Sequence, residues 1–268
     1  MVRICISLVR RIIGRNMTVE VIEPFGVWRI EEPGQYIFSP EAIGLEIWVG
    51  VPNVELVNPI LDGKGPGNRG IGINGAYCTI RNPTIFGYAG SGLAWWSGAY
   101  KLRVLGGHIH HCAVPIYGVA QQPGEPGANQ VVVEGVTCED TITTGGDEHG
   151  FGLQNGSYGY YDLTLRRGNA QGCVAYQSAG KKMQYNVFKL KVENFLDRAF
   201  DFGGDASIKD GRAHKGNRLT IEAKNCGVGL RLKARESENP WRIYARLENC
   251  AQPIEWLGEA YRARVEST

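Results

Sequence analysis

Two short stretches of the 268-residue chain hold acids and bases close enough in sequence to do chemistry. In GGDEHGFG (145–152), Asp147, Glu148 and His149 stand side by side, two carboxylates and an imidazole of the kind that general acid–base catalysis uses. In DFGGD (201–205), Asp201 and Asp205 are separated by a flexible Gly-Gly and followed by Lys209, Arg212, His214 and Lys215. Two neighbouring carboxylates can serve as general acid and base in glycoside hydrolysis, their separation deciding between retention and inversion. A plainer reading pairs Asp201 with Arg231 and Asp205 with Arg235 as ordinary ion pairs. Both readings of Asp201 stay open at this point. A third stretch, GGHIHHCA (106–113), puts His108 and His110 on one face of a strand, but no third ligand is evident and no metal is assigned to it.

The elements that must position these groups show in an internal repeat. Small residue, apolar, variable, apolar recurs with its first apolar residue at Leu45, Ile71, Leu93, Ile116, Phe151, Val174, Phe200, Leu230 and Ile254. The longer steps coincide with loop-like inserts at 120–130, 138–148 and 203–217; without them the period is about 22–24 residues. Each period holds a second β-like run, such as YYDLTLRR or VFKLKVENF, and no helical stripe follows residue 16. Short strands at this period predict a β-solenoid, each coil covering the apolar face of the next. Cys112, Cys138, Cys226 and Cys250, with Asn82, Asn169 and Phe195 at comparable places, are expected to form an internal ladder, so that the cysteines pack rather than react.

On these repeats the chain resembles the right-handed parallel β-helix superfamily of pectate lyases, polygalacturonases, alginate epimerases and phage tailspikes. The resemblance covers roughly 25–258 and implies an all-β, single-stranded right-handed solenoid of about nine coils. Residues 1–24 are expected as an N-terminal cap, with an upstream extension before Met17 as the alternative, and 259–268 as a tail. The resemblance further implies a polysaccharide or oligosaccharide bound in a groove on the outer face of one parallel sheet. His149-Gly150-Phe151-Gly152-Leu153 looks like the polygalacturonase motif in which a histidine follows the catalytic aspartates, and VGLRLK looks like that family's substrate-binding GVRIK. Two departures stand against a direct transfer: PIYGVAQQPG, one coil earlier, has no acid, and the Arg-Lys pair arrives three coils after His149 rather than one. For a lyase the resemblance implies Ca²⁺ held by the carboxylate pair while a base removes a proton from the sugar; for a spike, a trimer.

Strand alternation assigns the faces. Ile71/Ile73, Leu93/Trp95, Phe151/Leu153, Val174/Tyr176, Phe200/Phe202, Leu230/Leu232 and Ile254/Trp256 are expected inside. One outward column then reads Gly72, Ala94, Tyr117, Gly152, Ala175, Asp201, Arg231, Glu255, and the next Asn74, Trp96, Val119, Gln154, Gln177, Gly203, Lys233, Leu257. Gly152 and Ala175 would leave a shallow floor, with Trp96 for a sugar face, Gln154 and Gln177 for hydroxyls, and Arg231 and Lys233 for a carboxylate. Glu148, His149, Asp201 and Asp205 are the candidate catalytic groups.

The bulk composition agrees. A formal charge of +2, from 29 basic and 27 acidic residues, lacks the dense positive face of a nucleic-acid binder. No apolar run of about 18 residues suggests a membrane partner. The opening MVRICISLVRRIIGRN has arginines within its apolar stretch and no small-residue cleavage site, which points to the cytoplasm or a virion rather than to secretion. Two function classes follow: a polysaccharide lyase or glycoside hydrolase on an acidic polymer, or a non-catalytic glycan-binding or viral spike module.

Overall fold

A computed structural model of the protein describes residues 7–13, 16–22, 26–39, 42–43, 45–63, 68–119, 130–144, 148–177, 183–204, 214–233, 241–257 and 264–267. These form a right-handed parallel β-helix with no α-helix among them. Ten strands, from Gly26–Ile30 to Gln252–Leu257, follow one another in chain order to make one wall. A sixteen-stranded sheet makes the opposing surface and a three-stranded one lines a corner. The count exceeds the nine returns of the repeat because Gly26–Ile30 pairs in parallel with Leu45–Val49 ahead of the first return. At the other end Arg264–Ser267, within the stretch expected as a tail, adds a parallel strand beside Arg242–Glu248. The N-terminal residues form an antiparallel hairpin, Ser7–Ile13 with Asn16–Ile22, whose first strand pairs antiparallel with Gly34–Ser39 at the edge of the larger sheet.

The small residue that opens each repeat has a steric cause. A Cβ at Gly70 would lie 2.6 Å from the carbonyl oxygen of Gly92 one coil on, and one at Gly150 would lie 2.8 Å from that of Gly172. The wall begins where consecutive coils come closest, and only a small side chain fits there. The next two inward positions fill the interior: Ile71, Ile73, Leu93, Trp95, Phe151, Phe200, Leu230 and Leu232 are all at most 1% exposed. Rings run on along the axis through Trp95, Phe151, Tyr161, Phe188 and Trp241, with successive centroids 6.3, 5.2, 5.0 and 5.4 Å apart.

Two coils are out of step with the expected register: Ile47 rather than Leu45 pairs with Ile71, a shift of two that keeps the faces, and the coil at Cys173 shifts by one. Phe151 pairs with Cys173 and Cys173 with Phe200, so Cys173 and Ala175 point inward and Val174 stands in the outward column between Gly152 and Asp201. GCVAYQ is apolar at nearly every position and fits either register. The large phenylalanines directly before and after it in the stack leave interior room only for the small pair. The cysteine ladder forms only in part. Cys226 lies between Phe195 and Cys250, whereas Cys138 stacks between Ile109 and Leu165, and Asn82 is on the surface, donating to Asn58 over 3.3 Å. Burial pushes the thiol of Cys112 up to about 12 and those of Cys138 and Cys173 well above the ordinary value, which leaves them poor nucleophiles.

Corners are closed by residues in left-handed backbone, among them Asn194, Asn225 and Asn249 (φ 60°, 54° and 53°), whose amides form an exposed ladder at 3.1 and 3.3 Å. A buried counterpart holds the small sheet. Asn186 accepts from Gly159 N at 2.9 Å and donates to Gly156 O at 3.1 Å, while Asn217 donates to Met183 O at 2.8 Å. Replacing Asn186 by Ala strands two buried backbone groups and should cost about 2–4 kcal/mol in urea unfolding. Asn225→Ala on the exposed ladder should lose about 1 kcal/mol, the cost of a side chain less tolerant of left-handed backbone.

Candidate functional site

The outer face of the ten-stranded wall carries three groups of side chains, each at a definite height in the stack. At the centre, Gly152 follows Tyr117 in the outward column. The imidazole of His149 folds over it: a Cβ on Gly152 would collide with His149 Nε2 and lie 2.7 Å from Tyr117 Cδ2. The rings of Tyr117 and His149 are 5.9 Å apart, and the Tyr117 hydroxyl reaches Oε1 of Gln154 at 3.5 Å. Glu148 is buried beside them and accepts a hydrogen bond from Thr144 N at 2.7 Å. The glycine expected to leave a shallow floor is therefore roofed by an imidazole, and the floor belongs to the histidine.

Two coils on, Asp201 is 8% exposed within a network of charges. Its carboxylate is 2.8 Å from Arg198 Nη1 and 3.6 Å from Arg231 Nη1. Arg231 also reaches Glu255 at 3.2 Å, and Arg198 reaches Asp197 at 3.3 Å. The ion pair between Asp201 and Arg231 thus forms. Arg198, which sequence reasoning passed over, is the closer partner; its signal was the i,i+3 spacing within RAFD.

Nearer the N-terminal end, Trp96 meets a residue that the columns omitted because they began one coil too late. Trp48 stacks in register with Gly72, and the two indoles lie 5.1 Å apart above that glycine. The guanidinium of Arg69 sits 4.9 Å over the Trp96 ring and 3.7 Å from Glu46. Burial raises the Glu46 carboxyl above its ordinary value, and Arg69 and Arg29 pull it back only in part.

The candidate residues are therefore distributed rather than gathered. Glu148 and His149 are neighbours, and Gln154 adjoins them through Tyr117. Asp201 lies in the same column as Gly152 with Val174 between, a separation of about 10 Å along the stack. That is beyond the roughly 5 Å of a retaining carboxylate pair and near the upper end of the roughly 6.5–9.5 Å of an inverting one. Gln177 pairs with Gly204, and Tyr176 takes the place beside Gln154 that was expected for it. Lys233 pairs with Leu257, its side chain outside the described residues, as are Asp147, Asp205 and Arg235.

The histidines lie on the other sheet. His108 Nε2 is 2.7 Å from Glu139, His110 stacks on Phe86 at 5.1 Å, and the Nδ1 atoms of His110 and His111 are 2.7 Å apart. Among the described residues no three His, Cys, Asp or Glu side chains converge to hold a metal.

No protein-family model and no curated protein matches the chain. Solved structures similar to it include the following three. The Dettilon tailspike protein shares 12% identity at a TM-score of 0.47, over 82% of this chain and 48% of its own. The ORF18 protein of a Geobacillus virus shares 10% at 0.45, over 91% and 52%. The catalytic domain of a glycoside hydrolase family 87 α-1,3-glucanase variant, solved with tetrasaccharides, shares 10% at 0.34, over 91% and 63%. The chain thus spans about half the length of the first two.

Removing the Asp201 carboxylate leaves Arg198 and Arg231 facing each other with little water. Asp201→Asn should lower stability by about 1–3 kcal/mol, and Arg231→Gln should restore part of that loss in the double variant, a coupling that a thermodynamic cycle measures. The histidines set a pH dependence. Burial, with His108 and His111 nearby, holds His110 below its ordinary value of 6.5. The folded state binds its proton less readily than the unfolded chain, so the stability present above pH 6.5 is lost as pH falls toward the depressed value. His110→Gln should flatten the fall in melting temperature between about pH 7 and 5.

Proposed function

We propose that the protein binds a polysaccharide chain along the outer face of the ten-stranded wall. The observation that carries this reading is the file of ring and hydrogen-bonding side chains along one outward strip: Trp48 and Trp96 over Gly72, then Tyr117, His149 and Gln154 over Gly152, then Asp201 with its two arginines. Indole and phenol rings offer apolar faces to sugar rings, while the half-buried Gln154 amide and Tyr117 hydroxyl offer partners for sugar hydroxyls. The coils repeat at about 4.8 Å, so an extended polymer can cross several of them.

Charge recognition is a weaker part of the reading. Arg231, expected to hold a uronate carboxylate, already faces Asp201 and Glu255, and a ligand carboxylate would have to displace one of them. The same network makes Asp201 a poor ligand for Ca²⁺, since two guanidinium groups stand where the cation would sit. The strip therefore favours recognition by rings and hydroxyls.

Catalysis is the second reading, and the packing of buried His149 against Tyr117, next in the chain to buried Glu148, favours it. With Asp201 two coils away and charge-paired, a catalytic centre on this face would lie at Glu148 and His149, and Asp201 would position Arg198 and Arg231.

Affinity electrophoresis through neutral glucans, polygalacturonate and alginate tests the binding. Trp96→Ala and Tyr117→Ala should each weaken it about tenfold, or roughly 1.4 kcal/mol. Binding unchanged in both variants, or none to any polymer, would sink the proposal. Absorbance near 235 nm and reducing ends, read on the same polymers, separate lyase from hydrolase, and catalysis requires that His149→Ala abolish either signal while binding persists.

A further inference from the structure

The outer face of the sixteen-stranded sheet pairs most of its charges from coil to coil, although Glu134 stands opposite Asp162. Arg81 meets Glu55 at 2.6 Å, Arg167 meets Asp140 at 2.6 Å, Arg166 meets Glu193 at 3.5 Å, and Lys224 meets Glu248 at 2.9 Å. In the column that runs Tyr160, Val187, Arg218, Arg242, Arg264 the register sets arginine directly against arginine. Arg218 and Arg242 are exposed, and among the described residues neither makes an ion pair. Like charges directly opposite on adjacent strands repel, so the arrangement costs stability that the alternating columns avoid.

A second, independent feature borders this column. Two residues before it in each coil, the corner is held in left-handed backbone at Tyr158 (φ 59°), Tyr185 (φ 56°) and Gly216 (φ 65°). Elsewhere in the fold Asn fills many such corners, and a bulky ring is a costly choice there. Both tyrosines are nevertheless exposed, at 57% and 38%, and stacked with centroids 5.2 Å apart and planes 14° from parallel. The ring of Tyr185 lies over Gly216, where a Cβ would come within 2.6 Å of Cδ1. Exposed Tyr244 stands on the far side of the column, and exposed Lys189 reaches over the Tyr160 ring at 5.3 Å.

We propose that this strip is a second binding site, for an oxyanion-bearing polysaccharide, in which Arg218 and Arg242 take carboxylate or sulfate groups while Tyr185 and Tyr244 flank the sugar rings. Guanidinium groups that no carboxylate among the described residues engages are available for bidentate contact with an anion, as Arg231 on the other wall is not. A narrow file of cations suits a polymer with about one charge per sugar. A nucleic acid, with a charge every ~3.4 Å of each strand, needs a broad positive face. The site stands on a different sheet from the ring-lined strip and does not depend on it.

The test is retention of the full chain on immobilised polygalacturonate at low salt, with neutral dextran and oligothymidylate as competitors. The wild-type protein should be retained and released by added salt, and the Arg218→Gln/Arg242→Gln double variant should bind at least tenfold more weakly. Tyr185→Ala should also bind more weakly. Arg242→Glu should lose retention while melting higher by about 2–4 °C, because it restores the alternation of charge; a merely structural arginine pair would not separate the two effects in this way. Failure of the wild type to bind, equal retention of the double variant, or displacement by oligothymidylate as readily as by free polygalacturonate would each overturn the proposal. None of those results bears on neutral glucan binding by the ring-lined strip.

Discussion

The structure depends on one constraint: every coil must hydrogen-bond in parallel register to the coil before it and the coil after it, about 4.8 Å away. Register then decides the fate of each residue. A position that faces inward in one coil faces inward in all, and a side chain too large where the walls converge would strike the carbonyl of the next coil. The column of Gly70, Gly92, Gly150, Gly172 and Gly229 follows from that collision. Inserts must leave and return at corners, and the step from Ile116 to Phe151, the longest in the repeat, still delivers Tyr117 opposite Gly152.

Stacking also turns sequence-distant charges into neighbours, which limits where they can be placed. Most exposed columns alternate in sign, and each such pair is worth little by itself at a surface. Together they mark the positions where like charges are kept apart. Asp201 departs from this pattern in one way, as a carboxylate largely shielded from water between two guanidinium groups. The Arg218–Arg242 column departs in the other, with cations set face to face in solvent. Shielding lets the first satisfy itself; the second leaves its charges for a ligand.

Outward glycines have a different meaning from the inward ones. Gly72 and Gly152 do not hollow the surface. Each lets rings from neighbouring positions close over its backbone, two indoles in one case and an imidazole in the other. That is why the site is a strip of rings held against backbone rather than an open trough, and why His149 is buried although its column faces outward.

From the sequence alone came the solenoid, the period, the inward phenylalanines and leucines, and the outward places of Trp96, Tyr117, Gln154, Asp201 and Arg231, because alternation and repetition are local properties that a stack must preserve. The coil at Cys173 escaped because Val, Ala and Tyr are all apolar, and only the size of the phenylalanines stacked on either side of it chose between two registers one residue apart. Trp48 over Gly72, the turn of His149 onto Gly152, and the capture of Asp201 by Arg198 were likewise settled by tertiary structure. Each depends on which rotamer finds space or an opposite charge in the next coil, and such contacts between residues tens of positions apart leave no periodic trace in the chain.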